Sequence, residues 1–175
     1  MNTIGRRGVL RALSMPLAAG LLPAFAAAQG DKPSDKPGDK RIVLVIGNGA
    51  YKSAPLKNPV SDARAVADSL KQLDYEVTLR ENTTLVDLIE ALRSFSLRAA
   101  TSSVRLLFYA GHGIQAKGRN YLLPVDVEPQ SEDEIATKTA DVNELLDRLG
   151  NIKHGLNIVV PVSYTHLTLP TKRIV

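Results

Sequence analysis

Two hydrophobic periods alternate along the chain. Arg41-Ile42-Val43-Leu44-Val45-Ile46 is an unbroken branched run, the pattern of a strand covered on both faces in a parallel sheet. Gly47-Asn48-Gly49 ends it. Asn58 then Pro59 supplies a helix cap and a first-turn proline, and Val60, Ala63, Ala67 and Leu70 follow at helical spacing, predicting a helix over Pro59–Leu73. Tyr75–Arg80 alternates as a second strand. Thr84 with Asp87 forms a capping-box pattern, and Leu85, Leu88, Ile89, Leu92 and Phe95 give the apolar face of a helix reaching Ala99. Val104–Tyr109 is a third strand ending at Ala110-Gly111-His112-Gly113. Ile114–Leu123, with Gly118 in its middle, reads as a short hairpin or extended excursion. Asp141–Leu149 is a short helix with Leu145, Leu146 and Leu149 inward, and Asn157-Ile158-Val159-Val160 begins a fourth strand.

This rhythm predicts a three-layer α/β/α domain with a mostly parallel sheet. In such sheets ligands meet the carboxyl ends of the strands, which puts His112 at that edge.

At 175 residues the chain has room for a leader and one domain. Met1–Ala28 reads as a twin-arginine signal peptide: Arg6 and Arg7 precede an apolar stretch from Leu13 to Phe25, and Ala26-Ala27-Ala28 offers a cleavage site before Gln29. Pro16, Gly20 and Pro23 make the stretch a poor membrane span, so no stable span is expected after cleavage. The destination implied is periplasmic or secreted. Residues 29–40 form a linker, because Gly30 to Lys40 contains no apolar residue to bury.

Charge changes little. Removing Arg6, Arg7 and Arg11 takes the basic count from 22 to 19 against 18 acidic residues, turning +4 into +1. With basic residues scattered, no nucleic acid partner is indicated. The chain has no cysteine, which excludes disulfides, thiolate metal sites and a cysteine nucleophile within it. His112, His154 and His166 lack metal-ligand spacing, so no metal or other cofactor is expected.

His112 stands between two glycines directly after a buried strand. That placement lets a substrate backbone approach the imidazole, but it equally describes a histidine in a tight turn. Asp62, just inside a helix start, has a plain role as favourable charge at the positive helix end, worth about 0.3–1 kcal/mol. Asp126 suits a turn or a cap, or a loop beside a site. Gly47-Asn48-Gly49 after a strand suggests a dinucleotide turn, but the third glycine of that fingerprint is missing and Lys52 stands there instead. His154, in Lys153-His154-Gly155, reads as a helix-ending surface residue.

Tyr109-Ala110-Gly111-His112-Gly113 resembles the histidine motif of the caspase and metacaspase peptidases, family C14. The strand before Gly47-Asn48, the segment Leu56-Lys57-Asn58-Pro59-Val60-Ser61-Asp62-Ala63, and Tyr121-Leu122-Leu123-Pro124-Val125-Asp126 occur in that family's order, over about Arg41 to Val160. The resemblance implies a caspase-like fold and a cysteine-type endopeptidase acting on a peptide or protein substrate. It casts His112 as general base and acid, the Gly113 N–H as an oxyanion donor, and Asp62 as the carboxylate of a pocket selecting Arg or Lys before the cut.

The pattern then breaks. After a strand like Asn157–Val160 the family continues to a cysteine nucleophile, whereas here Pro161-Val162-Ser163-Tyr164 follows, with Tyr164 at the cysteine position and Val162 at that of a second acidic pocket residue. Tyrosine, with a pKa of ~10, is a poor substitute for a thiol of ~8.5. The stretch from Val162 to Thr171 resembles a translated transposon-type sequencing adapter, so residues 161–175 are expected to be a non-native tail. The fragment is then an incomplete peptidase domain, residues 41–160, and inactive. The alternative is a caspase-like pseudoenzyme that binds peptides or proteins.

Overall fold

The computed structural model describes residues 40–166. The expected leader (residues 1–28), the expected linker through residue 39 and the expected tail from residue 167 onward lie outside the described residues. The elements are β1 (Arg41–Gly47), α1 (Pro59–Gln72), β2 (Glu76–Glu81), α2 (Leu85–Ala99), β3 (Val104–Ala116), β4 (Arg119–Leu122), α3 (Glu132–Lys138), β5 (Ala140–Asp141), α4 (Val142–Gly150) and β6 (Leu156–His166).

The strands form one six-stranded sheet in the order β2-β1-β3-β4-β5, with β6 also paired to β3. β1 runs parallel to β2 and β3, and β3 parallel to β6, while β4 pairs antiparallel with β3 and β5. The sheet is therefore mixed, parallel where the crossover helices feed it and antiparallel in the hairpin beyond.

Alternation along β1 builds both hydrophobic layers. Ile42, Leu44 and Ile46 pack with Leu88, Phe95, Leu145 and Leu149 of α2 and α4, and Val43 and Val45 pack with Ala63 and Ala67 of α1. Being buried on both faces is why the run is unbroken in the sequence. At about 25 cal/mol per Å² of apolar surface removed from water, each such Leu or Ile contributes roughly 1.5–3 kcal/mol.

Several expectations need correction. Asn58 makes no side-chain cap bond; instead the Ser61 hydroxyl donates to the Asn58 carbonyl at 2.7 Å. The Thr84–Asp87 capping box, by contrast, is formed as expected. Ile89 is 50% exposed and Leu146 40%, so each lies outside the stripe its helix buries. β3 does not stop near Tyr109: it runs to Ala116 and turns back into β4 through Lys117 and Gly118, with φ of 50° and 75°. That is the type I′ geometry whose twist matches a hairpin. α3 and β5 went unpredicted because α3 buries only Ile135 and β5 has two residues, too little for any period to show.

β6 carries on through Pro161 to His166, in register with β3 from Val104↔Leu156 to Gly111↔Ser163. Pro161 has no N–H to give, which the strand tolerates because, among the described residues, β6 pairs on one side only. No helix of the described residues is long and apolar enough to cross a membrane, and none of their His, Asp and Glu clusters could hold a metal ion.

Candidate active site

β3 makes the site by outlasting its neighbour. β1 ends at Gly47 opposite Ala110, and beyond that step Asn48 takes over with its side chain. The Asn48 N–H donates to the Ala110 carbonyl at 2.8 Å. Its carboxamide donates to the Leu123 carbonyl at 3.0 Å and accepts from the Thr83 N–H at 2.9 Å. Fully buried, Asn48 thus ties the end of β1 to the loop before α2 and to the chain leaving β4.

The amides of Gly49 and Ala50 both donate to Asn82 Oδ1, at 2.9 and 3.0 Å. With Asn48 also engaged, the turn has no amides left to cradle a phosphate, which disposes of the dinucleotide reading. The glycines serve packing: a Cβ on Gly47 would stand 2.6 Å from the Pro59 carbonyl oxygen, and one on Gly49 2.6 Å from that of Leu56.

Past this step lies His112, only 1% exposed. Its Nε2 is 2.7 Å from the Ala54 carbonyl oxygen, in the loop between β1 and α1. A carbonyl can only accept, so Nε2 carries the proton and Nδ1 is the basic atom of the neutral ring. The Tyr51 ring leans over the imidazole with centroids 4.3 Å apart at 50°.

The main chain of His112 is held as firmly as its ring. Its N–H donates to the Tyr51 hydroxyl at 2.9 Å, and its carbonyl accepts from the Tyr109 hydroxyl at 2.7 Å and from the Leu123 N–H at 3.1 Å. The two hydroxyls are themselves 3.1 Å apart. Burial raises the Tyr51 pKa and raises that of Tyr109 well above the ordinary value, so both stay protonated at neutral pH.

Gly111 is glycine for these hydroxyls, since a Cβ there would lie 2.6 Å from the Tyr109 oxygen and 2.7 Å from that of Tyr51. This packing is a reason for the glycine separate from the expected approach of a substrate backbone to the imidazole. What His112 does line is a cavity of ≈ 30 Å³ with Tyr51, Ala54, Leu123, Asp126 and Glu128 among its walls. That is room for a water or two.

Asp126 is a cap at long range: its Oδ1 accepts from the Leu85 N–H at the start of α2, at 2.9 Å. Asp62 sits half-buried in the first turn of α1 and is not among the residues lining the His112 cavity. Gly113 pairs with Leu122 in β4. Tyr51, Ala54 and Asn48 were missed from sequence as site residues. Tyr51 lies in an aperiodic loop, and Ala54 acts through its backbone, which leaves no side-chain signal.

Residues 40–159 match the caspase domain of peptidase family C14. The chain belongs to the caspase-domain family. It is 30% identical over 130 residues to human mucosa-associated lymphoid tissue lymphoma translocation protein 1, and 30% identical over 119 residues to the mouse homolog. These alignments cover 73% and 67% of this chain but only 15% and 14% of the relatives' lengths. The caspase-domain match takes in β1, the whole His112 network and β6 as far as Val159.

Proposed function

We propose that the parent protein is a cysteine endopeptidase of the caspase type, acting on a peptide or protein substrate, with His112 as general base and acid. The observation that carries this reading is the place of His112 on β3 beyond the end of β1, with β6 parallel to β3 as far as Phe108↔Val160, so that residues following Val160 in the parent are led toward His112. Tyr164 stands where the family pattern has its nucleophile. A cysteine there would lose its proton to Nδ1, the thiolate would add to the scissile carbonyl, and the imidazolium would protonate the departing amine. Water then hydrolyses the acyl-enzyme.

Because the His112 carbonyl points to β4, strand alternation directs the Gly113 N–H toward the opposite edge, where β6 runs. There it serves the oxyanion. Asp62 provides the carboxylate that selects Arg or Lys before the cut. Since the chain has no cysteine, it is itself inactive. Residues 161–175 are a foreign tail on a domain begun at residue 41, and residues 1–28 export the parent by the twin-arginine route to the periplasm or beyond.

Reading the locus past Val160 tests the tail, with a cysteine expected within a few codons. In protein made from that gene, cleavage after Arg or Lys is expected, Asp62→Ala should raise KM for such peptides, and His112→Ala should abolish turnover. Turnover that survived His112→Ala would end the mechanism. For export, Arg6→Lys with Arg7→Lys should strand a folded reporter in the cytoplasm.

The second reading is a caspase-domain pseudoenzyme that binds peptides or proteins. The absence of cysteine and the burial of His112 favour it. A genomic sequence that keeps Tyr164 and continues as domain would select it.

A further inference from the structure

The His112 network contains one residue that touches both the main chain and the ring of the histidine. Tyr51 accepts the His112 N–H at 2.9 Å through its hydroxyl and lays its own ring against the imidazole at 4.3 Å. Its loop also carries Ala54, whose carbonyl holds Nε2. The same hydroxyl reaches the Leu123 carbonyl at 3.2 Å and the Tyr109 hydroxyl at 3.1 Å, so it is fixed from the β4 side as well.

A neutral imidazole has two tautomers and two ring orientations, and only one combination presents Nδ1 as the base. Turning the ring over would put Cε1 in place of the Nε2–H against the Ala54 oxygen and would have to push aside the Tyr51 ring. Losing the hydroxyl would take the Tyr51 acceptor away from the buried His112 N–H, and the Leu123 N–H, itself a donor to the His112 carbonyl, cannot replace it. Tyr109, by contrast, holds only the carbonyl side of His112.

We propose that Tyr51 is a positioning residue for the base: its hydroxyl holds the His112 main chain and its ring fixes the orientation in which the Nε2–H meets the Ala54 carbonyl, making Nδ1 the proton acceptor. The proposal rests on His112 being the base, but its test needs no nucleophile and no substrate. It can therefore fail while the protease reading stands, and the reverse.

The test uses the full chain, ¹⁵N-labelled, with long-range ¹H–¹⁵N correlations reporting the His112 tautomer and hydrogen exchange reporting its amide. The unmodified chain should show one neutral tautomer, Nε2–H. Tyr51→Phe keeps the ring, so the tautomer should persist while His112 amide protection falls by about tenfold. Tyr51→Leu should add a mixture of tautomers, and Tyr109→Phe should leave the tautomer single. A folded Tyr51→Leu chain with one tautomer would overturn the proposal, as would Tyr51→Phe with His112 protection unchanged. Should Tyr51→Leu fail to fold, the Tyr51→Phe exchange result decides.

Discussion

His112 and Ala54 are joined at 2.7 Å, imidazole Nε2 to backbone carbonyl, across 58 residues of sequence. The bond joins the strand that carries the histidine to the loop that follows β1. It sets which ring nitrogen is basic, and no side chain at position 54 is needed for it. An Ala54→Gly change should therefore leave the His112 tautomer intact, whereas a change in the loop's path should not. Long-range ¹H–¹⁵N spectra distinguish the two.

Asn48 is the most heavily committed buried side chain at this step. Asn48→Ala would strand the Thr83 N–H and remove a donor from the Leu123 carbonyl. The expected loss is about 2–3 kcal/mol of unfolding free energy, read as a lower urea midpoint at unchanged slope. An unchanged midpoint would mean that water takes over both partners.

Gly111→Ala should cost about 1–3 kcal/mol, because its methyl group would press on both tyrosine oxygens. Tyr109→Phe removes one of those oxygens. The double variant should accordingly lose less than the sum of the two single losses, a coupling that a double-mutant cycle measures directly.

Asp126 caps α2 from the loop beyond β4, so Asp126→Ala should destabilise by about 1 kcal/mol and speed exchange of the Leu85 amide. Asp126→Asn keeps an acceptor oxygen and should recover most of the loss. Thermal melts of the two variants provide the comparison.

Alkaline pH should unfold the protein through its tyrosines. Burial raises the pKa of Tyr51 and of Tyr109 above 10.0 in the folded chain. The stability linked to these groups is fully present below the unfolded value and is lost as pH rises through and beyond it, because the unfolded chain then releases protons that the folded chain retains. The urea midpoint should fall above about pH 10. Tyr51→Phe and Tyr109→Phe, each read at neutral and at high pH, should flatten that fall, and a slope identical to the unmodified chain's would contradict the assignment.

The order of strands and helices from Arg41 to Val160 was legible because each element announces itself in a handful of neighbouring residues. The Ile42–Ile46 run, the Thr84–Asp87 box and the alanine and leucine spacing of α1 and α2 are local signals of covering on one or two faces. The histidine motif is local too, and so was the absence of a cysteine. Local signals failed where the chain bends around something distant: Ile89 and Leu146 match the period yet face outward, and α3 has no period at all.

The sequence by itself determined the layered α/β architecture and singled out His112, since hydrophobic period and motif are both written within a few residues. Only the tertiary structure decided that His112 is enclosed, which nitrogen is its base, and why Gly111 must be glycine. Those properties depend on Tyr51 and Ala54, 61 and 58 residues away, and on Asn48 meeting Leu123 across 75. Hydrogen bonds between such distant groups depend on the whole sheet having formed first, and they leave no repeat in the sequence to be read.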